Sequence, residues 1–332
     1  HVQRGYYTTS PPDPARAKEA KRADDAKEKD AAAKDLPLAG KARNKELMAA
    51  LHSLYPKAAL PTSLALNYFN LPPRGMILTA SVQVEPGADA PADADVQARA
   101  GQQVEVVGAL YDERGALKNS FQRSLSEAPN AAAVAAPGPA DAPNADAAAN
   151  ASGRFIVSTH LPISPGIYQV RIAAREQRSG RTGSATQWIE IPDIAKGKLA
   201  LSSVFLGEQK NREALTAKDA SESALPVVTV NRRLARTSHL RFFTYVYNAA
   251  RAPGGGSPDI ALQVQVFRDD QPVITSPLSK LGTEGMTDFT SLPYAAELSL
   301  AGLASGSYAL QITAIDRVSK TTATQRAKFM VE

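Results

Sequence analysis

One segment of this chain occurs twice, and it constrains the fold more than any other feature. Leu161-Pro162-Ile163-Ser164-Pro165-Gly166-Ile167-Tyr168-Gln169-Val170-Arg171-Ile172 returns as Leu300-Ala301-Gly302-Leu303-Ala304-Ser305-Gly306-Ser307-Tyr308-Ala309-Leu310-Gln311-Ile312. Aligned, Gly166 falls on Gly306, Tyr168 on Tyr308, Val170 on Leu310 and Ile172 on Ile312. The match continues without a gap to Ile189 and Ile191, which fall on Phe329 and Val331. Each copy reads as a turn, a strand that opens with tyrosine, a polar turn and a final strand. Apolar residues at every second position, bounded by turn formers, mark strands rather than helices. This is the closing half of an antiparallel sandwich, present twice.

The same period of two runs through the chain. Leu64, Leu66 and Tyr68 alternate in one strand, and Leu78, Ala80, Val82 and Val84 in the next. Val104, Val106 and Gly108 face one way, and Val107, Ala109 and Tyr111 the other. Leu117–Leu125 follows the Asp112-Glu113-Arg114-Gly115 turn, and Phe155, Val157 and Thr159 resume the pattern. Thr186–Ile191 carries Trp188, the sole tryptophan, and Pro192-Asp193 closes this unit. After a bridge at 196–206, strands are expected at Leu201 with 204–206, at Val227–Val230, Leu240–Tyr247, Ile260–Val266, Val273-Ile274, Leu292–Leu300, Tyr308–Ile315 and Ala327–Val331. Short, evenly spaced strands in two units of this size predict an all-β chain of two tandem immunoglobulin-like β-sandwiches. In such sandwiches a tyrosine near the start of the penultimate strand bonds back to upstream backbone. Tyr168 and Tyr308 stand where such structural tyrosine corners form.

The predicted organisation is an N-terminal strand at 1–10, a charged Ala/Lys-rich linker at 11–43, a first sandwich at 44–196 and a second at 197–332. Residues 13–46 carry almost no large apolar side chain before Leu36, too little to fold alone. Asn44 reads as a helix N-cap, with Leu47, Leu51 and Leu54 at helical spacing over 45–55 and Pro56 as the stop. That short amphipathic helix, bearing His52, is expected to dock on the first sandwich. Residues 126–152 are nearly all Ala, Pro, Asn, Asp, Gly and Ser, a low-complexity surface insertion. Asn150-Ala151-Ser152 inside it is formally a glycosylation sequon.

Little points to catalysis. The four histidines, His1, His52, His160 and His239, are far apart, and there is no cysteine. No Gly-x-Ser-x-Gly elbow exists, and Gly254-Gly255-Gly256 lacks the Gly-Lys-Ser/Thr of a phosphate loop. Asp219-Ala220-Ser221-Glu222-Ser223 matches a cation-holding Asp-x-Ser-x-Ser pattern but follows polar residues instead of a buried strand. Loop carboxylates (Asp89, Asp93, Asp95, Asp269, Asp270) read as solvated turns, so no metal and no cofactor are expected. A net charge of +5 over 332 residues, with bases scattered among acids, gives no nucleic-acid stripe. No apolar run approaches the roughly 20 residues of a membrane span. The chain starts at His1 without methionine or signal peptide, so a processed product or a cut piece is expected.

The order of segments has a counterpart. Arg4-Gly5-Tyr6-Tyr7, the charged linker, the short helix, Pro165-Gly166-Ile167-Tyr168 with Ile189-Glu190-Ile191-Pro192-Asp193, and Gly306-Ser307-Tyr308 recur together. In these features the chain resembles the C-terminal region of the von Willebrand factor A-related proteins of Acidobacteria. The resemblance implies that Arg4–Tyr7 is the tail of an A domain and that the rest lies downstream of it. It implies a secreted or envelope-associated protein with no assigned enzyme activity. The family's metal-dependent adhesion residues lie in the A domain, so none maps here.

Two functions are expected from this reading. The first is a non-catalytic extracellular or bacterial cell-surface protein that self-associates into a homopolymer. Val2, Arg4, Tyr6 and Tyr7 form the candidate donated strand, because a lone terminal strand has unpaired backbone groups. The second is an adhesion module that binds a glycan or a surface protein through Tyr245, Tyr247 and Trp188.

Overall fold

The computed structural model describes residues 43–71, 74–86, 102–126, 147–150 (backbone only), 154–209, 229–286 and 288–332. The predicted N-terminal strand with Val2, Arg4, Tyr6 and Tyr7 lies outside the described residues. So do Asp89, Asp93, Asp95 and the Asp219–Ser223 motif.

The first unit opens with helix α1 (Arg43–Leu51), followed by β1 (Thr62–Leu71), β2 (Gly75–Val84), β3 (Gln103–Asp112), β4 (Leu117–Ser126), β5 (Ala147–Asn150), β6 (Arg154–Pro162), β7 (Gly166–Glu176) and β8 (Thr182–Ile191). Two four-stranded sheets form, in the orders β1-β2-β6-β5 and β4-β3-β7-β8. Alternation decides what lies between them. Leu78, Ala80, Val82 and Val84 of β2 meet Val104, Val106 and Leu110 of β3, with Val157, Val170 and Ile172. The opposite face of β3 is buried as well. Val107, Ala109 and Tyr111, with Ala173, pack against Leu47, Ala50 and Leu51 of the helix. Gly108 lies opposite Phe121 in the ladder, and a Cβ there would come within 2.2 Å of the phenyl ring. The glycine leaves room for that ring.

The helix differs from its sequence reading at both ends. It starts at Arg43, so Asn44 lies within the first turn and is not the cap. It ends at Leu51, and a tightened Ser53 N–H to Ala50 O bond closes the last turn. His52 therefore sits one residue past the helix, and Leu54 is 85% exposed. Apolar spacing persists beyond the point where the sheet can receive it. The low-complexity insertion also contributes structure, since Ala147–Asn150 pairs with Arg154–Val157 of β6. A ladder needs only backbone groups, which alanine supplies.

The second unit contains β9 (Ala200–Leu201), β10 (Phe205–Gln209), β11 (Arg233–Leu234), β12 (His239–Tyr247), β13 (Arg251–Ala252), β14 (Gly256–Pro258), β15 (Ile260–Arg268), β16 (Gln271–Thr275), β17 (Ser279–Lys280), β18 (Ser291–Ser299), β19 (Gly306–Asp316) and β20 (Thr321–Val331). One sheet runs β10-β12-β18, with β9 on β12; the other runs β11-β20-β19-β15-β16, with β17 on β15. Between them pack Leu240, Phe242, Val246, Ile260, Leu262, Val266, Leu310, Ile312, Phe329 and Val331. The strand expected at 227–230 is not formed by Thr229 and Val230, and 227–228 lie outside the described residues. The edge position goes to Arg233–Leu234, parallel to β20. Asp269 and Asp270 turn β15 into β16 with φ of 50° and 60°, as a two-residue hairpin turn requires.

The repeat is visible in the register. Tyr168 pairs with Ile189 and Gly166 with Ile191; Tyr308 pairs with Phe329 and Gly306 with Val331. Gly166 and Gly306 have φ of 151° and 148°, which side chains rarely adopt, so glycine recurs at both strand starts.

Candidate functional site

The repeated tyrosines have matching partners. Tyr168 Oη donates to Ser164 O at 3.0 Å, and Tyr308 Oη to Ala304 O at 2.7 Å, each four residues upstream. At the far ends of the same strands stand two buried carboxylates. Glu176 accepts from Ser179 Oγ and Arg181. Asp316 accepts from the N–H groups of Ala250, Val318 and Ser319 at 2.8–3.1 Å. Burial alone would raise the Asp316 carboxyl. The backbone donors outweigh it and hold the group below the usual carboxylate range. These groups close turns.

A different set of residues gathers where the two sandwiches meet. Tyr68 of β1 exchanges backbone bonds with the second unit's first segment: its N–H donates to Ser203 Oγ at 2.9 Å, and Ser203 N–H donates to Tyr68 O at 3.0 Å. Its hydroxyl donates to Leu201 O at 3.1 Å and accepts from Gln325 Nε2 of β20. Burial pushes the Tyr68 phenol up to about 12, opposed by the Gln325 bond and assisted by the Glu190 carboxylate. Two residues on, Asn70 N–H donates to Tyr247 Oη at 2.8 Å. Tyr247 is buried to 1% exposure, and burial raises its phenol too. An aromatic series crosses the same boundary. Phe69 meets Phe205 edge-on at 6.1 Å, Phe205 meets Phe243 at 6.2 Å, and Phe243 meets Tyr245 at 4.7 Å. The connecting segment is held from the other side, where Asn248 Nδ2 donates to Ile194 O and Lys198 O.

Beside this junction lies a cleft of about 450 Å³. Asn67, Gln187, Trp188, Glu190, Arg232 and Arg326 supply its side-chain chemistry. Trp188 is 55% exposed on the edge strand β8. Of the three aromatics read as ligand contacts, then, the structure places Trp188 at an open cleft, leaves Tyr245 half-buried and buries Tyr247. Arg232, Ser203 and Gln325 carried no pattern in the sequence. Ser203 lies between β9 and β10, Arg232 just before β11 and Gln325 on β20, so only the tertiary fold brings them together. Among the described residues no group of three or more His, Asp or Glu could hold a metal ion. His160 lies against Thr79 at 3.0 Å, and Asp269 and Asp270 are exposed. No described helix is long and apolar enough to cross a membrane.

No family model and no curated protein matches the chain. Among solved structures it is similar to a candidate β-galactosidase from Bacteroides fragilis, at 10% identity and a TM-score of 0.23, over 75% of this chain and 32% of that one. It therefore spans about a third of that protein's length. The C-terminal domain of the Streptococcus agalactiae AgI/II polypeptide BspA aligns at 8% identity and a TM-score of 0.21, over 82% of this chain and 100% of its own. The Yersinia pseudotuberculosis adhesin InvE aligns at 12% identity and a TM-score of 0.20, over 81% and 60%. Likeness at this level carries no argument about what the chain does.

Proposed function

We propose that this chain is a non-catalytic structural protein of the bacterial cell surface, a fibre or surface-assembly subunit. The carrying observation is the junction around Tyr68. Its hydrogen bonds and aromatic contacts couple two sandwiches into one body, which suits a protein that transmits position or load. Open sheet edges support assembly: β4 and β18 each have a partner on one side only among the described residues, and such edges accept added strands. In this reading residues 1–10, with Val2, Arg4, Tyr6 and Tyr7 as the inserted strand, pair with an edge of the next copy. The test is electron microscopy and sedimentation of the full chain beside a variant lacking 1–10. Polymers from the first and monomers from the second are expected. Dispersed monomers of the full chain under all conditions would defeat the proposal.

A second reading is a ligand-binding adhesion module for a glycan or a protein. One observation favours it: a tryptophan exposed at a cleft lined largely by polar side chains.

A further inference from the structure

Arg232 is the residue that the fold alone leaves unexplained. Its φ of 53° is left-handed, a conformation unfavourable for a residue with a side chain. Its backbone is fixed there, with Arg232 N–H on Thr229 O and Met330 N–H on Arg232 O. The guanidinium is partly buried at the cleft, and burial lowers its affinity for its proton. Among the described residues nothing bonds or ion-pairs with it. A desolvated cation without a counter-ion is unfavourable, and arginine's planar fork suits a carboxylate. The other arginine of the cleft is occupied. Arg326 Nε donates to Gln311 Oε1 at 2.6 Å, its guanidinium lies 4.6 Å from the Phe267 ring centre, and Asp270 is 3.8 Å away.

The remaining lining narrows the ligand. Trp188 is half-exposed at the cleft, and an aromatic ring there is a surface on which the C–H face of a sugar ring can lie. Asn67 and Gln187 bring amides, and Glu190 brings an acceptor for hydroxyl groups. The cleft volume lies within the few hundred Å³ typical of small-ligand sites.

We propose that the cleft between the sandwiches binds a carboxylated saccharide, with its carboxylate on Arg232 and a sugar ring against Trp188. This inference rests on the reading of the chain as a ligand-binding module, and the experiment separates the two. Trp188 is the only tryptophan, so its fluorescence reports on the cleft directly. The full chain is titrated with oligogalacturonate, a hyaluronan oligomer and sialyllactose, and in parallel with methyl-esterified oligogalacturonate, neutral galacto-oligomers and polyglutamate.

A saturable change of emission with at least one acidic saccharide is expected, together with weak or no response to the ester and neutral controls. Arg232→Gln should weaken that binding roughly 10- to 100-fold, the range of a hydrogen-bonded charge. Arg232→Lys should fall between the two, since it keeps the charge and loses the fork. The urea midpoint of Arg232→Gln should equal or exceed that of the parent, because a desolvated charge has been removed. Saccharide binding that is unchanged in Arg232→Gln, or equal for acid and ester, overturns this inference and leaves the ligand-binding reading standing. So does polyglutamate binding as tightly as any acidic saccharide. No response to any probe overturns both.

Discussion

Two residue types set the local stability of each unit, a phenol at one end of the penultimate strand and a carboxylate at the other. Tyr308 is 4% exposed and its hydroxyl satisfies Ala304 O. Tyr308→Phe leaves that carbonyl without its donor and should cost about 1–2 kcal/mol, read as a lower urea midpoint at unchanged slope. Asp316 is fully buried and gathers three N–H groups. Its folded carboxyl lies below its unfolded value of about 3.9. It therefore adds stability above that value, and the contribution fades as pH falls through the lower folded value. Asp316→Asn should lose about 2 kcal/mol near neutral pH and show a flatter decline below pH 4, measured by unfolding across pH. Tyr68 works in the opposite sense. Its raised phenol supports the folded state fully below an unfolded value of about 10 and loses that support as pH rises towards about 12. An alkaline titration should show the Tyr68 contribution disappearing over that window, and Tyr68→Phe should remove this step.

At the scale of elements, the helix is held by its contacts, since nine residues make too short a helix to persist alone. Leu47 and Leu51 are buried against β3 and β7, at 0% and 2% exposure. Leu47→Ala should destabilise the protein by about 2–5 kcal/mol, whereas Leu54→Ala should change little, by the cavity argument. The contrast checks the helix boundary by calorimetry. The strands were legible because one face of each must be apolar, and the pairs at 166–191 and 306–331 repeat in register as well as in sequence. The helix end was not, because Leu54 continues a periodicity that the sheet does not receive. Nor was the edge strand at Arg233–Leu234, whose two residues carry no period. The cleft was legible only through Trp188. Ser203 and Gln325 bond to Tyr68, and Arg232 lines the same cleft, from points too far apart in the chain to leave a spacing to read.

At the scale of the whole molecule, the question is whether the two sandwiches behave as one body. The bonds of Tyr68 to Ser203, Leu201 and Gln325, with Asn70 on Tyr247, tie each unit to the other at several points. Loss of the Tyr68 hydroxyl should loosen this connection while leaving both inter-sheet cores intact. Both proposals use the coupling, since a subunit that transmits load needs a fixed joint and a cleft shared by two units needs fixed walls. Residual dipolar couplings measured on the full chain in a dilute aligning medium test it most directly. The coupled account predicts one alignment tensor that fits amides of both sandwiches, retained in Tyr68→Phe because the Ser203 and Tyr247 bonds do not use the Tyr68 hydroxyl. Tensors of clearly different magnitude for the two units in the unaltered protein would contradict it.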